Sequence, residues 1–280
     1  MKFAVYSTLL FSVVTIVAMF YLLGLGILEN TGKIYNLNGG RLRYDFGWGN
    51  PNFLSMFVGS TLLLLLYYIN YFNKNNLYVL SLLLVPVLYF TYLATGTKTF
   101  IVAWVLFYLT VIFKPLFINK TTIKIILLLP LLLLAFFYWA AMNYDNTFVK
   151  TIDVMLTGRI GLYNLFLTQT TNTSLLLGDV KFVRSFDKPL DSAYISLLLT
   201  GGIISFLVFY FIYLKGVNFL FLQKDYLAIS MVTYYLVYGV TEMMFLSILC
   251  IPNLLFWILL SRREKYYQLH RLKTHLTYGF

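Results

Sequence analysis

The sequence predicts an all-α, polytopic integral membrane protein. About eight transmembrane helices form a single membrane domain over residues 1–280, with one large extracytoplasmic loop. Three observations carry this. The chain is 60% hydrophobic and only 11% charged, with a mean hydropathy of +0.81, whereas an ordinary globular domain is about 25% charged. Charge-free apolar runs recur, several near the roughly 20 residues a helix needs to cross a hydrocarbon core of about 30 Å. Threading those runs as spans also separates positive charge onto one side. Backbone polar groups in lipid must be satisfied within the chain, so the runs are read as helices. A β-barrel would show short alternating segments instead.

The predicted spans cover residues 3–28, 52–73, 75–97, 99–113, 125–144, 192–214, 226–241 and 243–261. The first follows Lys2 and is much longer than the roughly 7–15-residue apolar core of a signal peptide, so it is expected to be a retained span. The last two share a run broken by one charge, Glu242. That run is too long for one helix and slightly short for two. It is either a tight hairpin turning at Glu242 or a pair with one tilted or re-entrant member.

With both termini cytoplasmic, the inner segments hold twelve basic residues and two acids, Asp225 and Glu264. The outer segments hold nine basic residues and the other eight acids. This is the bias of the positive-inside rule, and it explains the net charge of +11 without nucleic acid as a partner. The basic tail at 262–280 is expected to lie on an anionic leaflet as an interfacial segment, or simply to act as a stop-transfer cluster. Three outer segments stand out: 29–51, the short turn at 96–98, and the long loop 145–191. Long connections of this kind are more often functional than decorative.

Six charged residues from distant parts of the chain fall in that outer layer: Arg41, Arg43, Lys98, Arg159, Asp191 and Glu242. Arginine suits phosphate because its planar fork makes bidentate, charge-assisted hydrogen bonds and stays charged. Carboxylates beside it suit proton transfer. Each residue also has a plainer explanation. Arg41 and Arg43 would anchor a loop to headgroups, Lys98 would sit at an interfacial helix start, and Asp191 would cap the following helix. Glu242 differs, since an ionisable group between two apolar runs is by default a functional candidate. Around Arg159, the residues Ile160, Leu162, Tyr163, Leu165, Phe166 and Leu167 are expected to form a membrane-facing helix. Tyr44, Trp48 and Tyr163 are candidates for stacking on sugar rings.

Other chemistries find little support. His270 and His275 are five apart in the tail, not the four-residue zinc spacing. The single cysteine, Cys250, lies in an apolar run and offers neither a disulfide nor a thiolate metal site. No nucleotide- or dinucleotide-binding glycine motif occurs. Asn172-Thr173-Ser174 matches a glycosylation sequon, a pattern that arises readily by chance.

The ordered set RLRYDFGWGNPNFLSMFVG, TGTKT, LTGRIGLYN and DSAYISLLLTGGIISF, followed by the late Glu242, resembles the O-antigen polymerase and ligase superfamily. The nearest likeness is to Wzy-type capsular or exopolysaccharide repeat-unit polymerases, over roughly residues 40–260. The matching features are an Arg before a Gly…Pro-Asn element, a Thr-Gly-Thr-Lys turn, Gly158-Arg159, and Asp191, Tyr194, Gly201 and Gly202. Lys98 stands where the family usually has Arg. Asp191 stands where ligases have His, which argues against the ligase branch. Only one span precedes the first motif, fewer than is usual in the family.

The resemblance implies polymerisation of polyprenyl-pyrophosphate-linked repeat units on the outer face of the cytoplasmic membrane. Arg159, Asp191 and Glu242 would then be catalytic, with Asp191 or Glu242 taking or orienting the acceptor proton. Arg41, Arg43, Lys98 and Tyr163 would bind pyrophosphate or sugar. No cofactor and no metal is implied. The expected partners are the lipid-linked oligosaccharide, membrane lipids, a flippase and a chain-length regulator. Two alternatives stay open: a transporter or flippase of lipid-linked oligosaccharide, and a truncated or non-catalytic membrane assembly protein.

Overall fold

The computed structural model describes residues 10, 13–14, 17, 34–36, 42–44, 50–72, 82–113, 119–186, 190–243, 245–246 and 253–261. Helices dominate. They are α1 (Pro51–Phe72), α2 (Val85–Thr95), α3 (Lys98–Ile112), α4 (Lys120–Met142), α5 (Thr147–Met155), α6 (Arg159–Gln169), α7 (Asn172–Leu177), α8 (Val180–Arg184), α9 (Ala193–Leu222), α10 (Tyr226–Tyr238) and α11 (Leu254–Ser261). One departure from an all-helical fold precedes them. Strands β1 (Ile34–Asn36) and β2 (Leu42–Tyr44) pair antiparallel, with Tyr35 opposite Arg43. Asn38-Gly39-Gly40 lies between them, a hairpin signal in the sequence.

Among the described residues, three helices are long and apolar enough to cross a membrane: Pro51–Asn70, Thr121–Met142 and Ala193–Leu222. Val85–Thr95, Lys98–Ile112 and Tyr226–Tyr238 are shorter apolar helices. The 15 residues of α3 rise only about 22 Å at 1.5 Å per residue. Of the expected eighth span, 243–261, only Leu254–Ser261 is α-helical among the described residues, and the chain at 239–243 is a turn. Arg41, Trp48, Cys250, the two histidines and the tail at 262–280 lie outside the described residues, as does most of 3–28.

Outward-facing side chains are apolar at helical spacing. On α3 they are Val102, Val105, Leu109 and Ile112; on α9 they include Leu207, Val208, Phe211 and Ile212. On α4, Ile125, Leu128, Leu132, Trp139 and Met142 form a third stripe. Apolar stripes facing outward on long helices fit a membrane protein, because hydrocarbon solvates them and water does not.

The chain splits into two compact units, Met1–Leu109 with Ser247–Leu255, and Thr110–Leu246 with Phe256–Phe280. In the first, α1 starts at Pro51, the favoured first helical position for proline, with Asn50 Oδ1 accepting from Asn52 N at 2.8 Å. Asn52 Oδ1 in turn accepts from Thr97 Oγ1 at 3.0 Å, so the Pro-Asn and Thr-Gly-Thr-Lys segments meet. Buried hydroxyls on α1 bond back to their own helix, and Ser60 also donates to Asn253 Oδ1 at 2.5 Å.

In the second unit, α4, α6 and α9 enclose a core of Phe137, Ala141, Tyr163, Phe166, Leu167, Leu190, Ile195, Leu198 and Leu199. The loop expected at 145–191 is therefore mostly helical and packed, and α6 is not the membrane-facing helix the sequence led one to expect. Ile160, Tyr163, Phe166 and Leu167 point inward, because α4 and α9 offer an apolar surface on that side. Helix α9 is broken at Gly202, whose φ of 71° and ψ of 177° are not helical. A Cβ there would strike the Leu176 carbonyl, and one at Gly178 would strike the Thr200 carbonyl, so the glycines let α7 dock on the break. Asp179 N donates to Leu199 O at 2.8 Å and satisfies a carbonyl of the turn before the break.

Candidate functional site

Three of the six charged residues singled out from the sequence come together in the second unit. Arg159 Nη2 lies 3.0 Å from Glu242 Oε1 and 3.4 Å from Asp191 Oδ2. The partners are 83 and 32 residues away in sequence.

Each is placed by a different device. Arg159 is the first residue of α6. Asp191 lies two residues before α9, where Ala193 N donates to Gly239 O at 2.9 Å and ties that helix start to the turn after α10. Glu242 follows in the same turn, its N–H donating to Tyr238 O at 3.2 Å. The Tyr194 hydroxyl adds a bond to Leu236 O at 2.8 Å, locking α9 against α10. Ser196 and Met243 approach within 3.2 Å, and the Tyr194 and Phe245 rings meet edge to face. A turn held this closely keeps two carboxylates near one guanidinium despite their mutual repulsion.

The side chains of Arg159 and Glu242 are 15% and 11% exposed, and that of Asp191 is 27% exposed. Glu242 is therefore the closer and more deeply held partner; Asp191 is the longer and wetter one. Burial pushes the Asp191 carboxyl above its ordinary range, and the charge and hydrogen bond of Arg159 only partly pull it back. With all three ionised the cluster carries one net negative charge, so Asp191 is the member best suited to take up a proton. Both contacts use the same guanidinium nitrogen. The Arg159 Nε is buried with no hydrogen-bond partner, which leaves donor capacity unused.

Tyr163 and Ser192 complete the surroundings. The Tyr163 ring is fully buried, edge-on to Phe137 with centroids 5.8 Å apart. It is a core residue and presents no face for a sugar to stack on, contrary to the expectation from sequence. Its hydroxyl lies close enough to Ser192 and Arg159 to feel both, yet neither it nor Ser192 Oγ makes a well-formed hydrogen bond. Burial pushes the Tyr163 phenol well up, so it stays protonated.

Lys98 is exposed at the start of α3, in the other unit. Arg43 lies in β2, where only the backbone is described, and Arg41 lies outside the described residues. Among the described residues no group of three or more His, Cys, Asp or Glu is placed to hold a metal ion.

No family model matches this chain, and no curated protein or solved structure matches it significantly.

Sequence reasoning overlooked Asp153, treating it only as one of the loop's acids. The residue is buried at 5% exposure, and both carboxylate oxygens are engaged. Oδ1 accepts from Ile160 N at 2.6 Å and Oδ2 from the Tyr144 hydroxyl at 2.9 Å. A trace of this lay in the sequence: Gly158, just before α6, has no side chain to cap it, so the helix needs a cap from elsewhere.

Proposed function

We propose that this protein polymerises polyprenyl-pyrophosphate-linked oligosaccharide repeat units into a surface polysaccharide, acting at the outer face of the cytoplasmic membrane. The observation that carries the proposal is the meeting of Arg159, Asp191 and Glu242. The sequence motifs and their order add to it through the resemblance to repeat-unit polymerases. In this proposal the chain has about eight spans and both termini in the cytoplasm, as the distribution of charge in the sequence implies.

The transfer breaks the bond between the donor sugar's anomeric carbon and the pyrophosphate oxygen, and the electron pair leaves with the pyrophosphate. A hydroxyl of the acceptor sugar forms the new glycosidic bond and loses its proton. Arg159 neutralises the charge that develops on the leaving group, using donors its two carboxylates leave free. An arriving anion displaces Asp191 more readily than Glu242, since the Asp191 contact is longer and more exposed. Asp191, released beside the guanidinium, accepts the acceptor proton, for which a raised pKa is an advantage. Glu242 stays on Arg159 and fixes its orientation.

One observation favours a second reading, a transporter of the same lipid-linked sugar. Broken membrane helices often line transport sites, and α9 is broken at Gly202. Against it, the Leu199 carbonyl next to that break is already taken by Asp179 N.

The deciding experiment replaces Arg159 with Ala in the native host and sizes both the surface glycan and the lipid-linked intermediates. Loss of long polymer, with single repeat units accumulating on the outer leaflet, is expected of a polymerase. Accumulation on the cytoplasmic leaflet favours the transporter. Full-length polymer from a well-expressed variant refutes both.

A further inference from the structure

We infer that Asp153, braced by Tyr144, is a positioning residue for Arg159. The inference takes the importance of Arg159 from the function proposed above, but its test does not require transfer activity.

Arg159 stands where a helix start holds it poorly. It is a cation in the first turn of α6, the end at which the helix dipole disfavours positive charge. The residue before it, Gly158, gives no side-chain cap. Thr157 and Gly158 both have positive φ, 60° and 82°, so the turn into α6 is strained at a non-glycine residue.

Asp153 supplies what is missing. Its carbonyl accepts from Gly158 N at 2.9 Å, and its Oδ1 accepts from Ile160 N at 2.6 Å. The two bonds bracket Arg159, one on the residue before it and one on the residue after. The carboxylate also brings a negative charge to the helix N-terminus, where the dipole favours one.

The second oxygen of Asp153 is held by the Tyr144 hydroxyl, which reaches it from the turn after α4. That hydrogen bond, with burial and the nearby negative charge, raises the Tyr144 phenol's pKa. The contact depends on Gly161, since a Cβ there would come within 2.7 Å of the Tyr144 oxygen. Ala140, Val149 and Ile160 pack beneath the turn. The turn after α4, helix α5 and the start of α6 therefore converge on one carboxylate.

The positioning matters because Arg159 has little slack. Its Asp191 contact is already 3.4 Å long. A shift of the α6 start by a few tenths of an ångström would break that contact or turn Nη2 away from Glu242.

The test measures modification of Arg159 by phenylglyoxal in the full-length protein in nanodiscs, mapped by mass spectrometry. Glu242→Gln sets the rate for a guanidinium released from its principal charge partner. Asp153→Ala is expected to raise the Arg159 rate about tenfold, the scale of one lost cap. Asp153→Asn, which keeps an acceptor oxygen, should stay close to the unmodified protein. A wild-type rate in Asp153→Ala, or an equal rise in Asp153→Asn, overturns the inference. If Asp153→Ala does not fold, Tyr144→Phe removes only the brace and is expected to raise the rate; no rise overturns the inference. Where transfer is also assayed, Asp153→Ala should slow it and Asp153→Asn restore it. Faster modification of Arg159 with unchanged transfer leaves the positioning intact and instead counts against the proposed role of Arg159.

Discussion

Removing the cation from the Arg159 cluster should cost more than removing either anion, and the cost should depend strongly on Glu242. In Arg159→Ala, two largely buried carboxylates lose the guanidinium they share. Stripping one partner from a buried ion pair typically costs about 3–5 kcal/mol. At the 3.0 Å separation of Nη2 and Oε1, an effective dielectric of about 20 gives a gross attraction of roughly 5 kcal/mol. Desolvation and ordering of two long side chains consume more than half of this, leaving a coupling of about 2 kcal/mol. A double-mutant cycle of Arg159→Ala with Glu242→Gln measures that coupling. Denaturant titration of the purified protein in mixed micelles, followed by tryptophan fluorescence, supplies the four free energies. The parallel cycle with Asp191→Asn should give about half as much, because its contact is 3.4 Å and its side chain is 27% exposed. Additivity of Arg159 and Glu242 to within about 0.5 kcal/mol would refute the reasoning, as would a larger coupling to Asp191.

Three further outcomes follow from the geometry. If Asp191 is the proton acceptor, the acidic limb of the rate–pH profile lies above the ordinary carboxylate range near 4, since burial raises its pKa and only the ionised form can accept the proton; Asp191→Asn should remove that limb. Tyr163→Phe should leave stability nearly unchanged, whereas Tyr163→Ala should cost about 3–5 kcal/mol through the cavity it opens, as the same unfolding titration would show. Gly202→Ala should cost at least about 2 kcal/mol, from positive φ and collision with the Leu176 carbonyl, and is read as a lower yield and melting temperature of the purified protein.

What could be read from the chain, and what could not, divides along physical lines. Glu242 was conspicuous because charge is costly between apolar runs, whereas Arg159 and Asp191 stood out only as members of the outer layer of charge that the expected topology implies. The facing of α6 was not legible. Its apolar residues suit lipid and protein core equally well, and only the presence of α4 and α9 decides between them. Asp153 was hidden for a related reason: it acts on a backbone amide seven residues onward, and such a bond leaves no pattern of residue types. Long apolar segments such as Pro51–Asn70 and Thr121–Met142 were legible, expected at 52–73 and 125–144 and so off by a few residues at their ends. The 226–261 region was harder, because a single charge in a greasy run fixes where the chain turns but not how much of it stays helical.

The break in α9 has a consequence for depth. Thirty residues of unbroken helix would be about 45 Å long, some 15 Å more than a hydrocarbon core requires. Gly202 divides that length unequally. The stretch before it, from Ala193 to Leu199, is buried almost throughout, while side chains soon after it face outward. The opening turns of α9 thus belong, by environment, with the loop helices that cover them. If α9 crosses a membrane, Asp191 stands clear of the lipid in this way while the helix remains long enough to reach across it. A continuous helix of the same composition would have to tilt steeply, or project its first turns beyond the bilayer without support.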